Sequence, residues 1–431
     1  MKAQKIIFNL YNSAWKTAVF FLKNLPALKE SYGSRISPDN FNKTDIWIHG
    51  ASVGEAYVAI EIIKRFNPDQ PLKILYTATT SQGLKIMKSF CSSHKLDLNI
   101  DCNIRWFPID MPEVIEKVIL KTAPGIMVLL ETELWPGHLY MLKKHNIKTM
   151  VINARLSSKS YLRYLKTRCI WKRISPEKIA ATSKKDAERY SRIMGNKTQV
   201  ETMRNVKFDS ISSDGDDQNP CITSFLKAIL PPAAPLSILA SIRKEEESYM
   251  GEIVKYLFIN YPDPVVAIFP KHRKRVEYLI QQLEKLKKEL GFNLKIRSRI
   301  NAGTNSHVRN KTIILWDTIG ELKFAYSFAV TAFVGGSLAP LGGQNFLEPL
   351  AYGVKTVTGP YLNSFKWVGR EVFESQLVFK AQNVQEVGKF MVKTLKNPPD
   401  RAELGKKGAM FIKKNQGGAD MAVKLIKGAL L

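Results

Sequence analysis

Short apolar runs alternate with helix-length amphipathic segments along most of the chain from Asp45 onward. The runs at residues 46–48 and 126–130 contain only apolar side chains, which is typical of strands buried on both faces of a parallel sheet. Residues 112–120 carry apolar side chains at helical spacing and predict a connecting helix. The alternation indicates a doubly wound α/β fold. In the first half we predict strands at residues 46–48, 74–76, 126–130 and 149–152.

The alternation stops between residues 211 and 235, where Ser, Asp, Gly and Pro dominate, and then starts again. In the second half we predict strands at residues 236–240, 265–269, 313–316, 329–334 and 354–357. From about Val384 the pattern is helical and basic. We therefore predict a Rossmann-like domain at residues 41–210, an interdomain linker at 211–235, and a second Rossmann-like domain with terminal helices at 236–431. The two domains are expected to face a central cleft.

Residues 1–40 form a separate N-terminal segment in this prediction. The segment has no uninterrupted apolar run of the roughly 20 residues that span a bilayer. Its apolar residues instead recur at helical spacing, at Ile7, Leu10, Ala14, Ala18, Phe21 and Leu25. We predict an amphipathic helix that lies in the lipid headgroups, with its lysines on an anionic membrane surface. The alternative is a helix packed on its own domain.

The charge balance narrows the partners to anionic ones. Lys and Arg number 65 against 38 Asp and Glu, a net charge of +27, which favours nucleic acid, acidic lipid or phosphorylated substrates. Binding to nucleic acid is disfavoured, because the chain shows no helix-turn-helix pattern and no basic motif interleaved with aromatics. The four cysteines form no C-x-x-C pair, which argues against zinc and against a disulfide scaffold and suits a reducing cytoplasm.

A glycine-rich segment of the second half suggests a nucleotide site. Glycine pairs at residues 335–336 and 342–343 follow a predicted strand and precede a predicted helix at 345–352. Such turns let main-chain N–H groups approach a phosphate at a helix N-terminus. Glu348, one turn into the helix, is placed to accept hydrogen bonds from ribose hydroxyls. The alternative is a pair of ordinary tight turns.

Two further segments follow strands of the second half. Residues 270–275 are strongly basic, and Lys271 or Arg275 could hold a nucleotide phosphate at the carboxyl end of a strand. A solvated charge run that opens a helix is the alternative. Gly320-Glu321 is a weaker signal, because a plain helix N-terminus explains it equally well.

Acidic and basic residues also follow the strands of the first half. Glu55 lies in a Gly-containing turn before a helix, where a carboxylate could act as the general base that deprotonates a sugar hydroxyl. The alternative is that Glu55 complements the helix dipole. Glu131 and Glu133 follow the next central strand, and Arg155 and Lys207 occupy corresponding positions later in the chain.

Taken together and in this order, these segments resemble the 3-deoxy-D-manno-octulosonic acid (Kdo) transferases of lipopolysaccharide assembly, a family of inverting GT-B glycosyltransferases. The matching region runs from Ile46 to about Pro360. The motifs that carry the resemblance are Ser52-Val-Gly-Glu55, Glu131-Thr-Glu-Leu-Trp-Pro136, Asn153-Ala-Arg-Leu-Ser157, Asn205-x-Lys-Phe-Asp209, Pro270-x-His-x-x-Arg275 and the segment from Gly335 to Pro349.

The resemblance implies roles for most of these residues. It makes Glu55 the general base, assisted by Glu131 and Lys207, in an acceptor-binding first domain. Further candidates on the acceptor side are Ser52, Gly54, Glu133 and Arg155. The second domain would bind the nucleotide sugar, and the implied CMP-binding residues are Pro270, Lys271, Arg275, Ile319, Gly320, Glu321, Gly335, Gly336, Ser337, Asn345, Phe346, Leu347 and Glu348.

The implied reaction is a single-displacement, inverting transfer of Kdo from CMP-Kdo to a lipid A precursor at the cytoplasmic face of the inner membrane. It needs no cofactor and no metal ion, because main-chain N–H groups at residues 335–336, with Lys271 and Arg275, would stabilise the leaving phosphate. Three departures from the family pattern are Lys271 for Arg, Gln344 for His, and Ser241-Ile-Arg243 for Ser-Thr-His. The alternative enzyme is a GT-B transferase that uses a UDP-sugar, since many donors share this fold.

Overall fold

The computed structural model describes residues 2–22, 31–37, 39–93, 96–211, 220–229, 235–300 and 311–430. The chain forms two compact units, one of Met1–Ser210 with Asn415–Leu431 and the other of Ile211–Lys414. Each unit is built on one seven-stranded sheet whose paired strands are all parallel. Two Rossmann-like units are thus present, as the apolar pattern predicted.

The first sheet has the strand order β3-β2-β1-β4-β5-β6-β7. Its strands are β1 (Ile46–His49), β2 (Leu72–Ala78), β3 (Ile100–Trp106), β4 (Ile126–Leu130), β5 (Lys148–Ala154), β6 (Lys178–Ala181) and β7 (Gln199–Thr202). The four predicted strands correspond to β1, β2, β4 and β5. Strand β1 pairs with both β2 and β4, so the direction of chain progression reverses beside it.

Helices cover both faces of the first sheet. They are α1 (Lys2–Leu22), α2 (Tyr32–Ile36), α3 (Val53–Ile63), α4 (Ser81–Ser92), α5 (Pro112–Thr122), α6 (Pro136–Lys144), α7 (Ser158–Lys166), α8 (Arg168–Trp171) and α9 (Lys184–Met194). Alternate residues of β1 enter different cores: Ile46 and Ile48 pack with α3 and α4, and Trp47 packs with α5 and α6. Burial on both faces explains why the central strands are continuous apolar runs.

The second sheet has the strand order β10-β11-β9-β8-β12-β13-β14. Its strands are β8 (Leu236–Ile242), β9 (Val265–Pro270), β10 (Asn293–Ile296), β11 (Thr312–Leu315), β12 (Ala329–Val334), β13 (Lys355–Thr358) and β14 (Val378–Lys380). The five predicted strands correspond to β8, β9, β11, β12 and β13. The chain direction reverses beside β8, which pairs with β9 and β12.

The helices of the second unit again lie on both faces of its sheet. They are α10 (Pro220–Ile229), α11 (Glu247–Asn260), α12 (Val276–Leu290), α13 (Leu322–Ala325), α14 (Leu347–Ala351), α15 (Glu371–Glu374), α16 (Val384–Lys396) and α17 (Arg401–Asn415). Residues of α11, α12 and α16 form one core, and residues of α10 and α13 contribute to the other.

Two predicted boundaries differ from the structure. Part of the predicted linker is helix α10, whose Leu226 and Ile229 are fully buried in the second unit. The last helix, α18 (Gly418–Leu430), was assigned to the second domain but packs into the core of the first unit. The Asp209 carboxylate accepts hydrogen bonds from the N–H groups of Gly417 and Ala419, at 2.6 and 2.8 Å, and so caps α18.

Helix α1 docks on the first unit and also exposes apolar residues. The Phe8 ring stacks on Tyr140 with centroids 3.9 Å apart, and the Tyr11 hydroxyl donates to the buried Asp110 carboxylate at 2.7 Å. On other sides of the helix, large apolar residues remain exposed: Ile6, Ile7, Leu10, Phe20 and Phe21. Helix α1 therefore packs on its own domain, which was the alternative prediction, and it also has an exposed apolar surface. Leu25 lies outside the described residues.

No helix in the described part of the chain is long and apolar enough to cross a membrane.

Candidate active site

In the first unit the predicted residues meet where the strand order reverses. The Gly50–Glu55 turn follows β1, and Glu131 follows its neighbour β4. In open α/β sheets this point, outside the carboxyl ends of the strands, is where ligands bind. Residues from the ends of four strands contribute here, because Arg155 follows β5 and Lys207 follows β7.

Glu55 is held at the start of α3 by a capping box. The Ser52 hydroxyl accepts a hydrogen bond from the Glu55 N–H at 3.4 Å, and Glu55 Oε2 accepts from the N–H groups of Ala51 and Ser52. Gly50 permits this close turn, because a Cβ there would lie 2.9 Å from Glu55 Cβ. Both main-chain donors bind Oε2, and none of the contacts among the described residues engages Oε1. One oxygen therefore fixes the side chain while the other is available to a ligand.

The environment of Glu55 makes it a stronger base than an ordinary carboxylate. Burial and the negative charge of Glu133 raise the pKa of Glu55 to about 7, against the opposing effect of the hydrogen bond from the Ser52 main chain. The side chain is 6% exposed. A carboxyl group with this pKa can take up and release a proton near neutral pH.

Glu131, Arg155 and Lys207 form an ionic cluster beside this turn. Glu131 Oε1 lies 2.6 Å from Lys207 Nζ, and Oε2 accepts a hydrogen bond from Arg155 Nη2. A Cβ on Gly54 would lie 3.6 Å from Lys207 Nζ, so the ammonium group sits against the start of α3. The structure thus brings together Glu131, Arg155 and Lys207, which are up to 76 positions apart in the sequence, beside the turn that carries Glu55.

Glu133 contacts a buried stack of aromatic rings that the sequence did not predict. Its Oε2 accepts a hydrogen bond from Trp135 Nε1 at 2.9 Å and lies 3.5 Å from His49 Nε2. The His49 ring stacks on Phe107 at 3.5 Å, and burial lowers the pKa of His49. The His138 ring also stacks on Phe107, with ring centroids 4.1 Å apart. The stack fixes the orientation of Glu133, although spacing in the sequence gives no sign of it.

The second unit has a cavity of about 540 Å³ next to the carboxyl ends of β9 and β11. Four predicted residues line it: Pro270, Lys271, Ile319 and Gly320. Phe269 and Trp316, which also line the cavity, stack with ring centroids 4.5 Å apart. The cavity therefore combines an aromatic wall with basic residues.

Two residues predicted to bind the nucleotide, Arg275 and Glu321, instead form ion pairs within the protein. Arg275 forms two hydrogen bonds to Glu247, at 2.8 and 2.7 Å. Glu321 accepts two hydrogen bonds from Arg297, at 2.8 and 3.0 Å, and a third from Trp316 Nε1. These pairs make Arg275 and Glu321 supports for the loops around the cavity, and they leave Lys271 as the predicted cation without such a partner among the described contacts.

The glycine turn after β12 differs from the predicted phosphate site. Gly335 N–H bonds to the Ala240 carbonyl at 2.8 Å, within the sheet. The buried Glu246 carboxylate accepts from the N–H groups of Gly336, Ser337 and Leu338. The N–H groups expected to bind phosphate are therefore occupied by a carboxylate of the chain itself.

Two predicted side chains, Asn345 and Glu348, lie at the start of helix α14. Asn345 Nδ2 donates to Glu348 Oε1 at 2.9 Å. Burial raises the pKa of Glu348, and the hydrogen bond from Asn345 and the positive charge of Lys271 oppose the rise. Phe346 and Leu347 are fully buried in the core, and their side chains cannot contact a nucleotide. Among the described residues, no group of three or more His, Cys, Asp or Glu side chains could hold a metal ion.

Comparison with known proteins identifies the family. Residues 26–210 match the family model described as 3-Deoxy-D-manno-octulosonic-acid transferase (kdotransferase). A 3-deoxy-D-manno-octulosonic acid transferase of Haemophilus influenzae is 30% identical over 388 residues, covering 89% of this chain and 86% of the relative. The corresponding transferase of Bordetella pertussis is 25% identical, covering 83% and 80%.

The crystal structure of a glycosyltransferase from Rickettsia africae ESF-5 has the same fold. It superposes with a TM-score of 0.58 at 11% identity and covers 90% of this chain and 99% of that one. Two Rossmann-like units of this kind are the GT-B fold. The chain belongs to the 3-deoxy-D-manno-octulosonic acid transferase family and is a glycosyltransferase.

Proposed function

We propose that the protein transfers Kdo from CMP-Kdo to a lipid A precursor, with inversion at the anomeric carbon. In this proposal the first unit binds the acceptor and supplies the general base, and the second unit binds the nucleotide sugar. The similarity to relatives named 3-deoxy-D-manno-octulosonic acid transferase supports Kdo as the transferred sugar. The geometry around Glu55 supports the mechanism.

The observation that carries the proposal is the state of the Glu55 carboxylate. Its Oε2 is fixed by two main-chain N–H groups, its Oε1 is available, and its pKa is about 7. A residue that only capped the helix would need neither the available oxygen nor a pKa near neutrality. Both properties suit a group that accepts a proton from a hydroxyl.

The proposed step is a direct displacement. The acceptor hydroxyl oxygen forms a bond to the anomeric carbon of Kdo, and its proton passes to Glu55 Oε1. The bond between that carbon and the phosphate oxygen breaks, and CMP leaves with the electron pair. Lys207, held against the start of α3 by Glu131, places a positive charge where the hydroxyl becomes negative.

On the donor side, the cavity beside Phe269 and Trp316 suits the cytosine base of CMP. Glu348 is the proposed acceptor of hydrogen bonds from the ribose hydroxyls, with its carboxylate oriented by Asn345. Lys271 lines the cavity, its positive charge acts on Glu348, and we assign it to the CMP phosphate. A lysine in this role supplies the charge that a divalent metal supplies in other transferases, so the proposed reaction is metal-independent.

The acceptor is a lipid, and we propose that α1 holds the protein at the cytoplasmic face of the inner membrane. Phe20 and Phe21 are 71% and 66% exposed, while Phe8 and Tyr11 tie the helix to the first unit. The net charge of +27 adds attraction to anionic lipid headgroups. A docked helix with an exposed apolar surface would lie in the headgroup region rather than cross the bilayer.

Glu55→Gln should lower the transfer rate by about 10²-fold or more while leaving CMP affinity and the fold near normal. Glutamine retains an oxygen that can accept the capping hydrogen bonds but cannot take a proton. The measurement is turnover with saturating CMP-Kdo generated in place, with CMP binding followed by calorimetry. Glu61→Gln, at the other end of α3, is the control and should remain within a few-fold of the parent. A rate for Glu55→Gln equally close to the parent would show that Glu55 serves only as a cap.

The pH dependence of kcat/KM should report the same carboxylate. The base must be deprotonated to act. We therefore expect kcat/KM to be low in acid and to increase with pH through a midpoint near 7. Because the charge of Glu133 raises the pKa of Glu55, Glu133→Gln should move this midpoint to lower pH. A parent profile that is flat across this region, or a midpoint unaffected by Glu133→Gln, would contradict the assignment.

Replacing Phe20 and Phe21 together by Ser should release the protein from anionic vesicles, because each buried Phe contributes roughly 1.5–3 kcal/mol. Transfer to a detergent-solubilised acceptor should be retained, since neither side chain docks α1 on the first unit. Co-sedimentation with vesicles measures the effect. Ile259→Ser, which removes a residue 71% exposed on α11, is the matched control. Equal retention of both proteins would move the membrane contact away from α1.

A further inference from the structure

The donor of the proposed reaction carries two negative groups, and the glycine turn is closed to both. One is the phosphate, and the other is the carboxylate bonded directly to the anomeric carbon of Kdo. The N–H groups of residues 336–338, the natural anion site after β12, bind the buried Glu246 carboxylate instead. Side-chain cations are the groups that suit the donor anions best once this turn is closed.

Three arginines of the second unit are paired within the protein. Arg275 forms a two-pronged pair with Glu247, and Arg297 forms one with Glu321. Arg401 donates to the main-chain carbonyls of Tyr326 and Tyr352. Each of these guanidinium groups has found its partner within the protein.

Arg243 is different. It follows β8 directly, at the point where the strand order reverses, two residues after the cavity-lining Ser241. Its side chain forms a long ion pair with the half-exposed Glu245, with Arg243 Nε and Glu245 Oε2 4.0 Å apart. Its Nε is buried without a hydrogen-bond partner, while the side chain as a whole is 31% exposed.

The main chain around Arg243 is held rigidly. Glu246, which closes the glycine turn, also accepts the Arg243 N–H at 3.5 Å, and the Glu246 N–H donates to the Arg243 carbonyl at 2.9 Å. Ser241 has a φ of +56°, a left-handed conformation that turns the chain sharply at the end of β8. The chain that leads into Arg243 is packed tightly there, because a Cβ on Gly335 would lie 2.9 Å from the Ser241 carbonyl.

We propose that Arg243 recognises the carboxylate on the anomeric carbon of the donor sugar and so selects an ulosonate over an ordinary hexose. A planar guanidinium matches a planar carboxylate with two parallel hydrogen bonds, whereas the single charge of Lys271 suits the phosphate. A hexose donor has no carboxylate at this position and would leave the guanidinium unpaired. The inference rests on the proposed function, because it takes CMP-Kdo as the donor.

The test compares Arg243→Gln and Arg243→Lys with the parent protein and with Arg299→Gln. Arg299 is an exposed arginine of the same unit, so its variant removes the same charge. CMP affinity is measured by calorimetry, and KM and kcat are measured with CMP-Kdo supplied by a coupled synthesis and a detergent-solubilised acceptor. Thermal unfolding of each variant reports on the fold.

We expect Arg243→Gln to raise the KM for CMP-Kdo about 10- to 100-fold while CMP affinity stays unchanged, because CMP lacks the carboxylate. Arg243→Lys, which keeps the charge but loses the planar fork, should give a smaller rise, and this variant decides the question if Arg243→Gln does not fold. Arg299→Gln should match the parent.

A parallel loss of CMP affinity and of CMP-Kdo affinity would place Arg243 on the phosphate and overturn the proposal. An unchanged KM in both Arg243 variants of an active enzyme would overturn it as well. A parent protein that turns over no CMP-Kdo would contradict the proposed function itself, a result that is separate from either outcome for Arg243.

Discussion

Main-chain N–H groups that follow the central strands must find acceptors, and in both units a glutamate of the chain provides them. In the first unit Glu55 accepts from Ala51 and Ser52 after β1. In the second unit Glu246 accepts from three consecutive N–H groups after β12. An unpaired buried N–H costs about 1–3 kcal/mol, so these carboxylates determine the shape of both turns. The two carboxylates differ in whether a ligand can reach them. Glu246 is fully buried, whereas Glu55 keeps one oxygen available.

The charged groups around each site must likewise find partners within the protein. A net charge of +27 suggests a surface rich in available cations, yet several of the basic residues at the strand ends are paired. Glu131 pairs with both Arg155 and Lys207 in the first unit, a cluster that keeps one net positive charge, and Glu247 and Glu321 each bind an arginine in the second. The cations that remain for a substrate at the strand ends are therefore fewer than the composition suggests. Which ones remain depends on the contacts in the fold, and the count of residues does not reveal it.

The sequence predicted the centre of each sheet well and its edges poorly. The central strands are apolar on both faces and are easily recognised, whereas the edge strands β3, β7, β10 and β14 carry polar residues such as Asp101 and Gln199. Edge strands pair on one side only and need no continuous apolar run. The C-terminal helix α18 was placed in the wrong unit, because its apolar face gives no sign of which core it enters.

For the sites, the sequence predicted where functional residues lie but not how their hydrogen bonds are satisfied. It placed Glu55, Glu131 and Lys207 at strand ends, and the structure brings these residues together. It assigned the glycine turn at residues 335–336 to phosphate, because a glycine pattern cannot reveal that Glu246, about 90 positions earlier, fills the turn. Arg275 was likewise assigned to the nucleotide, although its partner Glu247 lies 28 positions away and only the fold makes the pair visible.

Kdo transfer is tested most directly by the mass of the product that the full chain forms from CMP-Kdo, generated in place, and a tetra-acylated lipid A precursor. The proposed Kdo transfer predicts that the acceptor gains a whole number of Kdo residues and that CMP is released in equal amount. An acceptor whose mass is unchanged with CMP-Kdo, but which gains a hexose when a UDP-sugar is supplied, would contradict it.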